Sequence, residues 1–277
     1  MNIKTALNWA TQELLTIHDS AKLDAEVLLT HILKKDRSYL YTWPEKEITK
    51  KQLEQFQTIL VTRKSGMPVA YLLGNKEFWS LNLDVTKDTL IPRPETELLV
   101  EQALELIPKN EIWKIADLGT GSGAIALAIA KERILCQITA TDKSLPALAV
   151  AKKNTVKNDI KNISYIQSDW FEFLSEQLFN VIISNPPYIS EQDPLLSQGD
   201  VYYEPSSALI SGPDGLQDIR FIIKTAVQYL LSDGWLLLEH GFEQYQQVQE
   251  IFKEYNYRNI STVKDLSGHP RVTFAQY

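Results

Sequence analysis

Asp117-Leu118-Gly119-Thr120-Gly121-Ser122-Gly123 is the stretch that decides the fold. The hydrophobic pattern places it between a strand ending at Asp117 and a helix beginning near Ser122. Alternating glycines weaken the start of a helix, and they suit a backbone that must turn sharply and come close to a ligand. Gly119, Gly121 and Ala124 also satisfy a loose dinucleotide fingerprint. Asp117 helps to separate the two readings, because a carboxylate ahead of the loop suits a cationic ligand group and would repel a pyrophosphate.

Toward the C-terminus, strand and helix keep alternating. A strand ends at Asp142, a helix covers Leu145–Lys157, and strands lie near Ile163–Ile166 and Phe179–Ser184. A helix near 216–231, a strand at Trp235–Glu239, a helix near 243–255 and a closing strand at Arg271–Tyr277 follow. Pro94, with Glu95 and Glu97 behind it, suits the first turn of a helix ahead of the loop. This alternation predicts an α/β fold with a doubly wound, mostly parallel sheet, in which ligands bind beyond the carboxyl ends of the strands.

Toward the N-terminus the pattern turns helical. Ile3, Leu7, Ala10 and Leu14 share one face, and Leu23, Val27, Leu28 and Ile32 another. A third helix opens at a Thr49/Gln52 capping box and stops at Gly66, before Pro68. Phe78, Trp79, Leu81, Leu83 and Val85 suggest a short β-hairpin, either the join between domains or an added pair of strands on the larger one. The expected organisation is a helical domain over 1–75, a hairpin linker over 76–92 and an α/β domain over 93–277.

Three further motifs fall at strand ends. Asp142, 25 residues after Asp117, can accept both hydroxyls of a ribose, as acidic residues do in dinucleotide folds; without the glycine loop it would read as a helix cap. Ser168-Asp169-Trp170-Phe171 follows the third strand. Trp170 offers a flat apolar wall for a purine and Asp169 an acceptor for its amino group, with core packing as the other reading of Trp170. Asn185-Pro186-Pro187-Tyr188 directly follows Val181–Ser184. Its prolines remove two backbone donors and stiffen the turn, leaving carbonyl oxygens free for a ligand. Together with the Asn185 side-chain acceptor they can hold both hydrogens of an NH₂ group, while Tyr188 packs against its planar framework. His240 reads as structural, His18, His31 and His269 carry no pattern, and the four are too scattered for a metal site.

Composition narrows the function. Across 277 residues, 28 Lys and Arg face 35 Asp and Glu, a net charge of −7. That balance, with no basic aromatic-laced segment, weighs against a polyanion as the main partner. The apolar run Ala124–Ala130 is far too short to span a membrane. Polar residues interrupt the N-terminal apolar stretch, so no export is expected. The single cysteine, Cys136, excludes an intramolecular disulfide and a cysteine metal cluster. A cytoplasmic, monomeric protein without a bound metal is expected.

The four motifs together resemble those of class I S-adenosylmethionine methyltransferases, and Asn185–Tyr188 marks the subset that modifies exocyclic or amide nitrogens. The resemblance extends to the release-factor glutamine methyltransferase family. It rests on Phe78-Trp79-Ser80-Leu81, Ile91-Pro92-Arg93-Pro94-Glu95-Thr96-Glu97, the glycine loop, Gln167–Phe171, Asn185–Ile189, Glu204-Pro205 and Leu238-Glu239-His240-Gly241, and it covers nearly the whole chain. It implies a Rossmann-like, seven-stranded sheet with a small N-terminal helical bundle that docks the substrate. It further implies that Asp117, Leu118, Gly119, Thr120, Gly121, Asp142, Trp170 and Asn185 bind S-adenosyl-L-methionine, with some contact from segment 91–97. Asp169 joins them as the expected adenine partner.

The same resemblance implies that Asn185, Pro186, Pro187 and Tyr188 receive the glutamine of a Gly-Gly-Gln loop in a peptide chain release factor. Asn185, Pro186 and Tyr188 would act in methyl transfer to its side-chain amide nitrogen (N5). The rival is a nucleic-acid amino-methyltransferase, since adenine N6 or guanine N2 offers the same NH₂ group to the same tetrapeptide. A ligand sensor on this fold would have no purpose for an intact Asn185–Tyr188, and an oxidoreductase would need a hydride-transfer group that is not recognisable here.

Overall fold

The computed structural model describes residues 1–15, 20–174 and 177–277, so His18 lies outside the described residues. The chain divides into two compact units, residues 1–74 with 197–203, and residues 75–196 with 204–277. Among the described residues no helix is long and apolar enough to cross a membrane.

The first unit is built from α1 (Ile3–Leu14), α2 (Ala21–Leu33), α3 (Arg37–Thr42), α4 (Lys50–Lys64) and α5 (Val69–Leu73). Side-chain caps set several of their ends. The Asn2 side chain accepts from the Thr5 backbone N–H, Asp36 from that of Tyr39, and Thr49 with Gln52 forms the expected reciprocal box, satisfying donors that a helix start leaves unpaired. Ile3, Ala6, Ala10 and Leu14 pack with Ala25, Leu28, Leu29, Phe56 and Leu60 in one core. Leu23, expected on the inner face of α2, is instead 47% exposed, and Ala21 and Ala25 take the inward positions. The sequence pattern gives no sign of α3 and α5, which at six and five residues are too short for a periodic signal. Arg63, which is buried, donates from Nε to Asp24 Oδ2 at 2.7 Å and from Nη1 to Asp200 Oδ1 at 3.2 Å. The Tyr203 hydroxyl donates to the Ser65 carbonyl, with its ring over Gly66, where a Cβ would strike it. Seven residues from the middle of the chain thus complete the N-terminal unit.

The second unit opens with a hairpin, β1 (Asn75–Phe78) and β2 (Leu81–Asp84). Its turn residues Trp79 and Ser80 have φ +51° and +53°, the primed geometry that matches strand twist. Phe78, Leu81 and Leu83 pack in the same core as the helix α6 (Glu97–Leu106). The sheet and its helices follow as β3 (Lys114–Leu118), α7 (Ala124–Glu132), β4 (Gln137–Asp142), α8 (Leu145–Lys157), β5 (Ile163–Gln167) and β6 (Phe179–Ser184). The last elements are α9 (Gln217–Ala226), β7 (Leu230–Glu239), α10 (Tyr245–Glu254), β8 (Arg258–Lys264) and β9 (Pro270–Gln276). Seven strands lie in the order β5-β4-β3-β6-β7-β9-β8. The first five run parallel; β9 is antiparallel to both of its neighbours.

Strand periodicity feeds two cores. Ile115, Val181, Ile183 and Leu237 point to the side of α6 and α7. Ala116, Ile182, Leu236 and Leu238 point to the side of α9 and α10, as alternation across a pleated sheet requires. The winding reverses between β3 and β6, and such a switch point opens a crevice at the strand carboxyl ends.

Several boundaries differ from the sequence reading. β3 runs one residue beyond Asp117, α7 begins at Ala124, and α9 ends at Ala226. β7 starts at Leu230, five residues ahead of the expected Trp235, and runs through Ser232-Asp233-Gly234 with an irregular register opposite Phe179 and Val181. The pattern placed six strands of the expected seven; the remaining one is β8. As an edge strand it has no buried residue, so it lacks the apolar alternation that marks a half-buried strand.

Candidate active site

The glycine loop leaves β3 and enters α7. Gly121 and Gly123 adopt φ +56° and +87°, a region that side chains other than glycine rarely enter. A Cβ on Gly123 would press against Leu127 and Ala151 at 3.1 and 3.2 Å, whereas one on Gly121 would meet nothing within 4 Å. The loop is therefore packed against protein at its helix end and open at Gly121. Asp117 supports it from behind. Its Oδ2 accepts from the Thr120 hydroxyl at 2.6 Å and from the Ala126 N–H at 3.2 Å. Its Oδ1 is buried with no hydrogen-bond partner among the described residues, and burial pushes its pKa up to about 7.

Asp142 ends β4 beside the loop. Its Oδ2 accepts from the Gly121 N–H at 2.9 Å and its Oδ1 from the Ser144 N–H at 2.8 Å. Each carboxylate oxygen keeps a second lone pair for a ligand hydroxyl. The cap of α8 is Ser144, which accepts from the Ala147 N–H, so Asp142 is not spent on helix capping. Burial raises its pKa. Trp170 has φ +50° and donates from Nε1 to Asp218 Oδ1 at 3.2 Å. Its ring packs partly on the core, and its edge faces Gly119. Asp169 is exposed beside it.

The tetrapeptide leaves β6 at Ser184. Asn185 Nδ2 donates to Thr96 Oγ1 at 3.2 Å, and the Tyr188 hydroxyl donates to Glu239 Oε1 at 3.3 Å. Gln244 Nε2 donates to the Tyr188 carbonyl at 3.0 Å, and Gly215 passes so close to that carbonyl that a Cβ there would collide with it. Glu239 is fully buried, which pushes its pKa up to about 7; the Thr96 hydroxyl beside it, Arg271 and Tyr188 pull the other way. Burial and the Glu239 charge raise the Tyr188 phenol well above its ordinary value. His240 is wholly buried, with Nε2 2.7 Å from Thr273 Oγ1 and Nδ1 2.9 Å from the Gly241 carbonyl. Burial holds it down to about 4.

One pocket of about 650 Å³, its open mouth included, gathers Gly119, Gly121, Asp142, Asp169, Trp170, Asn185 and Pro187. Asp117, Leu118, Thr120, Pro186 and Tyr188 are not among its lining residues; most of them are buried behind it. Three segments that the motif reading did not assign complete the wall: Asp88–Leu90, Lys143 and Ser144 with Ala147, and Pro205 with Ser207 and Ala208. No residue of 91–97 lines the pocket, although Asp88–Leu90 immediately precede that segment. Thr96, Glu239 and Gln244, which hold the tetrapeptide, were missed as well, and the one signal for the first two was their place inside quoted family motifs.

The lining carries three carboxylates, Asp88, Asp142 and Asp169, against one cation, Lys143. That balance suits a cationic sulfonium ligand and opposes a pyrophosphate. The open cradle at Gly121 and the free lone pairs of Asp142 fit an adenosyl group. A seven-stranded sheet of this order, with such a pocket over its switch point, defines a class I S-adenosylmethionine-dependent methyltransferase. Residues 5–74 match the family model of the PrmC N-terminal domain, and residues 95–198 that of the methyltransferase small domain. A release factor glutamine methyltransferase of Shewanella oneidensis is 48% identical over 275 residues, covering 99% of this chain and 96% of that one. Its counterpart in Escherichia coli is 46% identical over 259 residues, covering 94% and 93%. A solved methyltransferase structure from Pyrococcus furiosus shares the fold, with a TM-score of 0.54 at 17% identity over 79% of this chain and 96% of that one. The chain belongs to the release factor glutamine methyltransferase family.

Proposed function

We propose that the chain transfers the methyl group of S-adenosyl-L-methionine to the side-chain amide nitrogen (N5) of the glutamine in the Gly-Gly-Gln motif of a peptide chain release factor. The observation that carries this reading is the state of Asn185. Its Nδ2 is engaged by Thr96 at 3.2 Å, while the residue also lines the pocket, so its oxygen is the end left to accept from a substrate N–H.

An amide nitrogen is a poor nucleophile because its lone pair is delocalised into the carbonyl. Asn185 Oδ1 and the Pro186 carbonyl, each accepting one N–H, favour a pyramidal nitrogen with its lone pair released for attack. Tyr188 packs beside the amide plane, and Pro187 closes the pocket wall. S-adenosylmethionine supplies an electrophilic methyl group, so the contribution of the chain is positioning and electrostatics. One N–H proton leaves to water after transfer, when the nitrogen is acidic, and no histidine base is needed. Gly119, Gly121, Asp142, Asp169 and Trp170 hold the cofactor, on a loop that Asp117, Leu118 and Thr120 keep in shape. Residues 1–75 dock the substrate protein, 76–92 join them to the catalytic part, 93–277, and the enzyme works as a cytoplasmic monomer without direct nucleic-acid contact.

The test supplies labelled S-adenosylmethionine and, in parallel, a purified release factor, ribosomal RNA and duplex DNA. Label on the Gly-Gly-Gln glutamine is expected. Label on nucleic acid with none on protein overturns the glutamine assignment in favour of an amino-methyltransferase of bases.

A further inference from the structure

The two ends of an asparagine side chain differ in hydrogen-bonding sense but hardly in shape. For Asn185 to present its oxygen to an NH₂ group, its Nδ2 must be held the other way. Thr96 Oγ1 is the partner, at 3.2 Å. A hydroxyl alone does not enforce that choice, because it can accept from Nδ2 or donate to Oδ1 equally well. What else lies near it decides.

Close to that hydroxyl is Glu239, the last residue of β7, with 1% of its surface exposed. Its Oε1 accepts from the Tyr188 hydroxyl at 3.3 Å, the one hydrogen bond to its carboxyl among the described residues, while the Thr96 hydroxyl, Arg271 and Glu95 lie near enough to act on its charge. Its Oε2 is buried with no hydrogen-bond partner among the described residues. Once ionised, above about pH 7, this carboxylate only accepts. It draws the Thr96 proton toward itself and leaves the Oγ1 lone pairs for Asn185 Nδ2. The same group accepts a hydrogen bond from the Tyr188 hydroxyl, so one carboxylate acts on both the first and the last side chain of the tetrapeptide.

We propose that Thr96 and Glu239 are positioning residues for methyl transfer, a relay that fixes the Asn185 amide with its oxygen turned to the substrate. The relay rests on the proposed role of Asn185 as acceptor for the glutamine amide. It draws its geometry from three distant parts of the chain: a turn before α6, the end of β6 and the end of β7.

The test compares single-turnover methylation of a release factor by Thr96→Val, Thr96→Ser, Glu239→Gln, Asn185→Ala and the double variant Thr96→Val with Asn185→Ala. Binding of S-adenosylhomocysteine is measured for each as a check of folding. Thr96→Val should turn over roughly 10-fold more slowly, the scale of one lost hydrogen bond, with unchanged cofactor-product affinity, since Thr96 does not line the pocket. Thr96→Ser, which keeps the hydroxyl, should restore the rate. Glu239→Gln offers the hydroxyl a donor as readily as an acceptor and should lose a smaller factor. In the Asn185→Ala background Thr96→Val should cost nothing more, because there is no amide left to orient. A normal rate for Thr96→Val, or losses that multiply in the double variant, overturns the relay while leaving Asn185 in place. A normal rate for Asn185→Ala overturns the role of Asn185 and the relay with it.

Discussion

The Ser184 hydroxyl donates to the carbonyl oxygen of Leu118 at 2.7 Å, tying together the last residues of two neighbouring strands that also pair in register. Leu118 leads directly into the glycine loop and Ser184 into the tetrapeptide, so one side-chain hydrogen bond spans the roots of both. Ser184→Ala should lower stability by about 1–2 kcal/mol, since it leaves a buried acceptor short of a partner. Both cofactor affinity and turnover should fall with it. Urea unfolding and calorimetry with S-adenosylhomocysteine check this; an unchanged midpoint would show that the tie is dispensable.

Asp142→Ala removes an acceptor from the Gly121 and Ser144 N–H groups as well as the proposed ribose contact. Cofactor affinity should weaken by roughly 1.5–3 kcal/mol, the range for hydrogen bonds to a charged group. Unchanged affinity in a calorimetric titration would confine Asp142 to holding the loop.

Asp117 and Glu239 are both buried, with pKa values raised to about 7. Between the ordinary carboxylate range near pH 4 and about pH 7, the folded chain keeps protons that the unfolded chain has released. Stability from these groups therefore falls as pH rises through that window. Asp117→Asn removes one of the two slopes, so the variant should gain on the parent between about pH 5 and about pH 8. Urea midpoints at the two pH values decide it, and parallel behaviour of parent and variant would contradict the shift.

These groups mark where the sequence stops being legible. The glycine loop, Asp142 and Asn185 could be read because each is a local pattern at the end of a predicted strand. The relay could not, since Thr96 meets Asn185 across 89 residues and Glu239 meets Tyr188 across 51, and no spacing rule brings them together. β8 escaped for a different reason: at the sheet edge its polar residues face solvent. Leu23 misled because helical spacing gave it an inward place that Ala21 and Ala25 fill.

Changing the target glutamine of the release factor to glutamate should abolish methyl transfer, because a carboxylate has no N–H to offer Asn185 and Pro186. Mass spectrometry of the Gly-Gly-Gln peptide reads this directly. Binding of duplex DNA should be undetectable. A duplex binder with six to ten phosphate contacts loses roughly 10³–10⁵ in affinity between 50 and 200 mM salt, and a chain of net charge −7 should show only a shallow salt response toward its protein substrate. A steep one would point back to nucleic acid.

Residues 197–203 complete the N-terminal unit, and this bears on the order of folding during synthesis. Arg63 waits 137 residues for Asp200, and Ser65 waits 138 for Tyr203. At about 5–20 residues per second that interval lasts roughly 7–27 s. Until then Asp24 alone holds the buried guanidinium among these carboxylates, and Gly66 lacks its aromatic cover. The first unit to leave the ribosome is therefore not the first to be finished: it closes only after β3 to β6 and the tetrapeptide have been made.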